Sequence, residues 1–146
     1  MTHALSEIDA ARQRVQAAYD PELLRSAGHR LIELLADHLC AVEAGTGDVL
    51  PWRHPAENIR LASELLHQAT SSAAGREALV AHFGRLLETI LDRGHNLHHP
   101  RYIGHQVAAS LPMAGLLDAA GSITNQAMAI YDMGPWATAA EWAMVH

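Results

Sequence analysis

A chain of 146 residues with 49% apolar side chains is long enough for one folded domain with a core of its own. Its formal charge of −6, sixteen acids against ten arginines without an arginine cluster, excludes the basic face that nucleic acid requires of a partner. The single Cys40 rules out an intrachain disulfide framework, no apolar run approaches the roughly 20 residues of a bilayer span, and THALSEIDAARQR lacks a signal-peptide core, so a soluble cytoplasmic protein is expected.

The first helix is predicted to start at Ser6, where Ser6 and Asp9 make a capping-box-like pair and Ile8, Ala11, Val15 and Ala18 then recur on one face. Asp20-Pro21-Glu22 restarts the chain with an N-cap acid, a proline at the first helical position and an acid at the positive end of the dipole. The second helix should run towards Gly45 with Leu23, Ala27, Leu31, Leu34 and Val42 as its apolar stripe. Cys40 lies close to that stripe and reads as a small buried hydrophobe. Gly45-Thr46-Gly47 breaks the helix, and a linker with Pro51 and Trp52 leads to Pro55. A short helix carrying Ile59, Leu65 and Leu66 follows, and the polar stretch 69–75 reads as a loop.

Arg76 to Arg93 is the best amphipathic helix of the chain, with Leu79, Phe83, Leu86, Leu87, Ile90 and Leu91 at helical spacing and Gly94 as its stop. A histidine-rich loop and an extended piece from Tyr102 to Ser110 come next. Pro112 opens a helix that is apolar nearly all round, rich in small residues, and predicted to end near Tyr131. Gly134-Pro135 breaks it, and a last helix begins at Trp136 and is still running at His146 without a stop signal.

Charge is spread unevenly. Residues 1–95 hold nine of the ten arginines and thirteen of the sixteen acids, whereas 96–146 hold only Arg101, Asp118, Asp132 and Glu141. A stretch so poor in charge does not present a solvated face easily and is expected to be covered by further chain or by a partner subunit. Two regions are therefore drawn, 1–95 and 96–146.

Eleven histidines raise a metal hypothesis, with His95, His98, His99 and His105 the densest group. No cysteine or acid stands among these four and no HExxH pair occurs, so no metal site is nominated.

The segment HPRYIGHQVAASLPMAGLLDAAGSITNQAMAIYDMGPWATAAE resembles the start of the body of group II pyridoxal-phosphate-dependent amino-acid decarboxylases. His99-Pro100-Arg101-Tyr102 matches the family's HPRF-type opening; Asp118, Asn125, Tyr131, Pro135, Thr138 and Glu141 follow its spacing, and VLPWRHPAE resembles its proline-bearing connector. Singly, each position has a plain structural reading: prolines that end elements, aromatic residues that pack, solvated acids. The resemblance implies a fold-type I α/β enzyme, a homodimer whose N-terminal helices lie across the other subunit, with an amino acid as substrate. Residues 1–146 would then be a mainly α fragment, an N-terminal dimer-clasp segment over 1–95 followed by the truncated start of the enzyme body over 96–146. By the same resemblance His105, Gln106 and Val107 line the substrate pocket, and Ala127 and Ala129 reach the pocket of the neighbouring subunit. For His105, a loop histidine facing water is an equal reading.

The sequence contains no lysine; every one of its ten cationic residues outside histidine is arginine. Pyridoxal phosphate is captured as an imine on a lysine amine, so no catalytic or cofactor-binding residue is nominated and the chain alone is expected to be inactive. Two further readings stand beside this one: a stand-alone helical interaction module derived from a decarboxylase, and a histidine-rich metal-binding protein.

Overall fold

The computed structural model describes residues 2–71, 75–104 and 106–146, and among them it contains six α-helices, one 3-10 turn and no strand. The mainly helical expectation is met. The chain divides into two compact units, Met1–Gln106 and Val107–His146. The first takes in the histidine-rich loop, eleven residues past the line drawn at 95 from charge and resemblance.

In the first unit, α1 spans Thr2–Ala18, α2 Pro21–Glu43, α3 Pro55–Ser71 and α4 Arg76–Arg93. Asp20 sets the start of α2 as its sequence foretold. Its backbone is extended, its Oδ1 accepts from the Glu22 N–H at 3.0 Å, and Pro21 occupies the first turn. The other end of α2 closes in a Schellman motif, with the Thr46 N–H donating to the Ala41 carbonyl and the Gly45 N–H to the Val42 carbonyl, both at 2.9 Å. This requires φ of +78° at Gly45, a conformation that glycine adopts without a Cβ penalty.

α2 and α4 run in the same direction and supply the packing of the unit. At their N-terminal ends Arg76 donates to Asp20 Oδ2 from Nη2 at 2.6 Å and from Nε at 3.0 Å. Further along, Arg30 pairs with Glu88. Between these pairs sits the buried Gly84, over which the Arg30 side chain lies so closely that an added Cβ would come 3.2 Å from its Nε. The expected stripe of α2 is the face that turns inward: Leu23, Ala27, Leu31 and Leu34 are half-buried, and Val42 is fully buried. α3 runs the opposite way, pinned to α4 where Arg93 reaches Glu57 at 2.9 Å.

The apolar stripe of α4 divides. Phe83, Leu87 and Leu91 are half-buried, while Leu79, Leu86 and Ile90 remain exposed. A 3.6-residue period specifies one face, and that face here is wider than α2 covers.

Several sequence expectations are corrected. α1 includes Thr2 to Leu5, so Ser6 lies inside the helix rather than at its start; Ala4 and Leu5 are helix formers and nothing before Ser6 stops the helix. α3 continues through Ser71, into the stretch read as a loop, because no Gly or Pro intervenes before Gly75; residues 72–74 lie outside the described set. Cys40 is exposed rather than buried, because the covered face of α2 does not extend to it. Gly94 does stop α4, but with extended φ and ψ of −78° and 163°; its glycine is required because a Cβ would lie 2.8 Å from the Ile90 carbonyl oxygen.

The second unit holds α5 (Pro112–Thr124), the 3-10 turn Tyr131–Met133 and α6 (Pro135–Val145). α5 ends seven residues before the expected Tyr131, because Asn125 adopts the left-handed conformation (φ 46°, ψ 49°) and its N–H closes onto the Gly121 carbonyl at 2.9 Å. α6 opens on Pro135, one residue ahead of Trp136. Gly134 is buried against the Ala127 carbonyl, 3.1 Å from where a Cβ would stand.

The Asp20 carboxyl is held below its ordinary range by the Glu22 N–H and then by Arg76. A depressed carboxyl stabilises the fold above its unfolded value and loses that contribution as pH falls through the folded value. Asp20→Asn, which keeps the cap but not the charge, should therefore melt below the parent at neutral pH, and acidification should close the gap in parallel thermal scans. Gly84→Ala should stay within about 1 kcal/mol of the parent, since the gain in helix propensity offsets the contact with Arg30. Gly84→Leu should lose about 1–3 kcal/mol by overpacking, read from urea unfolding followed by far-UV circular dichroism.

Candidate functional site

The HPRY segment forms a compact turn docked on the α2–α3 linker. Asn96 fastens it: its N–H donates to the Val49 carbonyl at 2.9 Å and its Nδ2 to the Asp48 carbonyl at 2.6 Å. The turn then closes on itself, with the His99 N–H donating to the Asn96 carbonyl at 3.1 Å and the Tyr102 N–H to the His99 carbonyl at 2.8 Å. Nδ1 of His99 accepts the Arg101 N–H at 3.1 Å and acts as a local cap. His99 is buried, only 3% exposed, and its Nε2 has no hydrogen-bond partner. The His95 and Tyr102 rings meet edge to face at 4.9 Å between centroids, and the Tyr102 hydroxyl donates to the Gly104 carbonyl at 3.1 Å. The residues carrying the resemblance here are thus the ones that fold the turn.

Of the sequence-derived contact residues, His105 lies outside the described residues. Gln106 ends the first unit at φ 52°, left-handed backbone that residues with a Cβ rarely adopt, and it interrupts the expected extended piece. Val107, 51% exposed, opens the second unit, and Ala127 and Ala129 are exposed on the connection between α5 and the 3-10 turn. Ala127 and Gly134 meet within that unit, so the carbonyl of Ala127 is engaged in packing. Asp118, Tyr131 and Glu141 are exposed; Thr138 is half-buried with an unpartnered Oγ1. Among the described residues, no three His, Cys, Asp or Glu side chains converge to hold a metal ion.

The donor set for pyridoxal phosphate fails one test outright: with no lysine in the chain, no residue here forms the imine that holds the cofactor. No reaction step is derived through it. The carboxylates Asp20 and Glu57 are held below their ordinary range by structural contacts, Asp20 by the Glu22 N–H and Arg76, Glu57 by a hydrogen bond from Arg93.

The sequence reading missed an open apolar groove of about 630 Å³ between α3 and α4. Leu61, Leu65 and Leu66 line one wall and Leu86 and Ile90 the other, with Asn58, His82, Thr89 and Arg93 as its polar groups. The signal was present in the outer half of the α4 stripe, which one partner helix does not cover.

No match emerges from comparison of the chain with protein-family models, with curated proteins or with solved structures. Among the described residues no helix is long and apolar enough to cross a membrane.

The cap made by His99 gives a test of its structural role. His99→Ala should cost about 1–3 kcal/mol by stranding the Arg101 N–H and emptying a buried site. His99→Asn, whose side chain offers an acceptor at the same sequence offset, should recover part of that loss in urea unfolding.

Proposed function

We propose that this chain is the N-terminal part of a pyridoxal-phosphate-dependent amino-acid decarboxylase, cytoplasmic and homodimeric, contributing subunit contacts and one wall of the substrate cleft. In this reading His105, Gln106 and Val107 face the substrate, and Ala127 and Ala129 face the neighbouring subunit's cleft. Carbon dioxide loss needs an electron sink conjugated to the substrate's α-carbon, which the cofactor supplies when bound. The chain's own contribution is to exclude water and to position the substrate; the imine-forming lysine and the acid that pairs with the ring nitrogen belong to other sequence. Alone, 1–146 is inactive.

One observation carries the reading. In 107–146, Gly134 is the sole fully buried residue among those described, although the unit is nearly free of charge and α5 and α6 are built of apolar and small residues. Leu117, Trp136 and Met144 are 72%, 79% and 87% exposed. Surface of this kind belongs against other protein, and the spaced positions from His99 to Glu141 supply the family in which that protein is sought.

A second reading, a stand-alone helical interaction module, draws support from the first unit, whose helices are tied together by their own ion pairs.

The native gene product, captured with an antibody raised against 1–146, distinguishes them. A decarboxylase predicts a polypeptide well above 15.8 kDa that takes up a borohydride-reducible cofactor adduct on a lysine and releases carbon dioxide from an amino acid. A native product of 15.8 kDa without cofactor overturns it.

A further inference from the structure

Asp20-Pro21, His54-Pro55 and His99-Pro100 close on the residues after them in the same way. In each, the backbone carbonyl of the first residue accepts the N–H of the third residue after it, from Leu23 at 3.0 Å, Glu57 at 2.9 Å and Tyr102 at 2.8 Å. The side chain of that first residue accepts the N–H in between: Asp20 Oδ1 from Glu22 at 3.0 Å, His54 Nδ1 from Ala56 at 3.2 Å and His99 Nδ1 from Arg101 at 3.1 Å. Proline has no N–H of its own, so the amide after it is the first that needs an acceptor. Two of these three acceptors are imidazoles, at a position where a carboxylate, amide or hydroxyl is the usual choice.

The substitution of imidazole for carboxylate changes how the cap responds to protons. The Asp20 carboxyl is held below its ordinary range and keeps its acceptor into acid. A neutral imidazole carries a hydrogen on one nitrogen and a lone pair on the other, whereas the imidazolium has two donors and no acceptor. Histidine is the side chain whose charge ordinarily changes between about pH 5 and pH 8. Adding a proton at His99 Nδ1 would set one N–H against another. It would also charge a ring that is only 3% exposed and whose Nε2 has no partner.

Both caps border one joint. His54 ends the α2–α3 linker and starts α3, and the turn closed by His99 is fastened to the same linker by Asn96 through the Asp48 and Val49 carbonyls. The titratable and charged groups on the elements that meet here are His95, His98, Arg101 and Tyr102 on the turn, Asp48 and Arg53 on the linker, Glu57 and Arg60 on α3, and Asp92 and Arg93 on α4. Asp48 meets the turn through its backbone carbonyl, and Glu57 and Asp92 pair with arginines. We propose that His54 and His99 make this joint an acid-sensitive latch, closed while both rings are neutral and loosened when they take up protons. The packing of α2 on α4 stays in place, because its cap is Asp20 and its pairs join arginine to carboxylate. An unfolded chain protonates both rings without losing a hydrogen bond, so it binds more protons over this range and stability falls as pH drops. The latch is independent of the cofactor chemistry.

Two measurements on the full chain test it. With isotope-labelled histidine, ring nitrogen spectra at about pH 8 should show Nδ1 bare and Nε2 protonated in both His54 and His99. In urea, the unfolding equilibrium constant of the parent should rise about tenfold or more between about pH 8 and pH 5.5, the effect of losing such hydrogen bonds. His54→Asn combined with His99→Asn keeps an acceptor that does not titrate here, and its unfolding constant should rise by several-fold less over the same interval. His98→Asn, in the same turn but outside both caps, should respond as the parent does. A hydrogen on Nδ1 of either ring at about pH 8 overturns the proposal. So does a double variant that follows the parent across the interval, or His98→Asn abolishing the response. Should the double variant fail to fold by far-UV circular dichroism, the ring spectra of the parent decide.

Discussion

The first unit depends on a crossing of α2 and α4 at which a glycine, not a large side chain, is the point of contact. Because Gly84 has no Cβ, the aliphatic part of Arg30 lies directly over α4, and its guanidinium reaches Glu88 one turn beyond. Asp20 then fixes the other end, holding α2 through the Glu22 N–H and α4 through Arg76 with one carboxylate. Half-exposed ion pairs of this sort add little net stability, but they select one register and one direction among the ways two apolar stripes can meet. Parallel α2 and α4, with α3 running back between them in sequence, follow from those two pairs.

The same geometry leaves most apolar side chains partly wet. Val42 is the one fully buried hydrophobic residue among those described, and the outer half of the α4 stripe faces the groove. Burial stabilises by roughly 25 cal/mol for each square ångström of apolar surface removed from water. A chain that removes so little apolar surface gains correspondingly little from its own burial.

The HPRY turn shows how one set of residues can support two arguments. As a pattern these residues resemble the opening of a decarboxylase body. As a structure they make a cap, an edge-to-face ring contact and a buried imidazole on a backbone anchored by Asn96. Asn125 is similar: it matches the family's spacing, and it also ends α5 by accepting a left-handed backbone. Each of these residues is accounted for by the local structure it makes, and the chain has no lysine for the chemistry that the resemblance implies.

What the sequence by itself determined is local. The Asp20-Pro21 start, the limits of α4, the inward stripe of α2 and the stop at Gly45 rest on hydrogen bonds and dihedral preferences within a few residues, so they are legible from the chain. Helix ends without so strong a signal, at Thr2, Ser71 and Thr124, are not legible in the same way, because propensity falls off gradually and Asn125 enters the left-handed region only when its surroundings favour it. Which half of the α4 stripe is covered, the exposure of Cys40, the burial of His99 and the groove were decided by the tertiary structure alone. Each depends on the direction of a neighbouring helix, and periodicity records that a face is apolar without recording what lies against it.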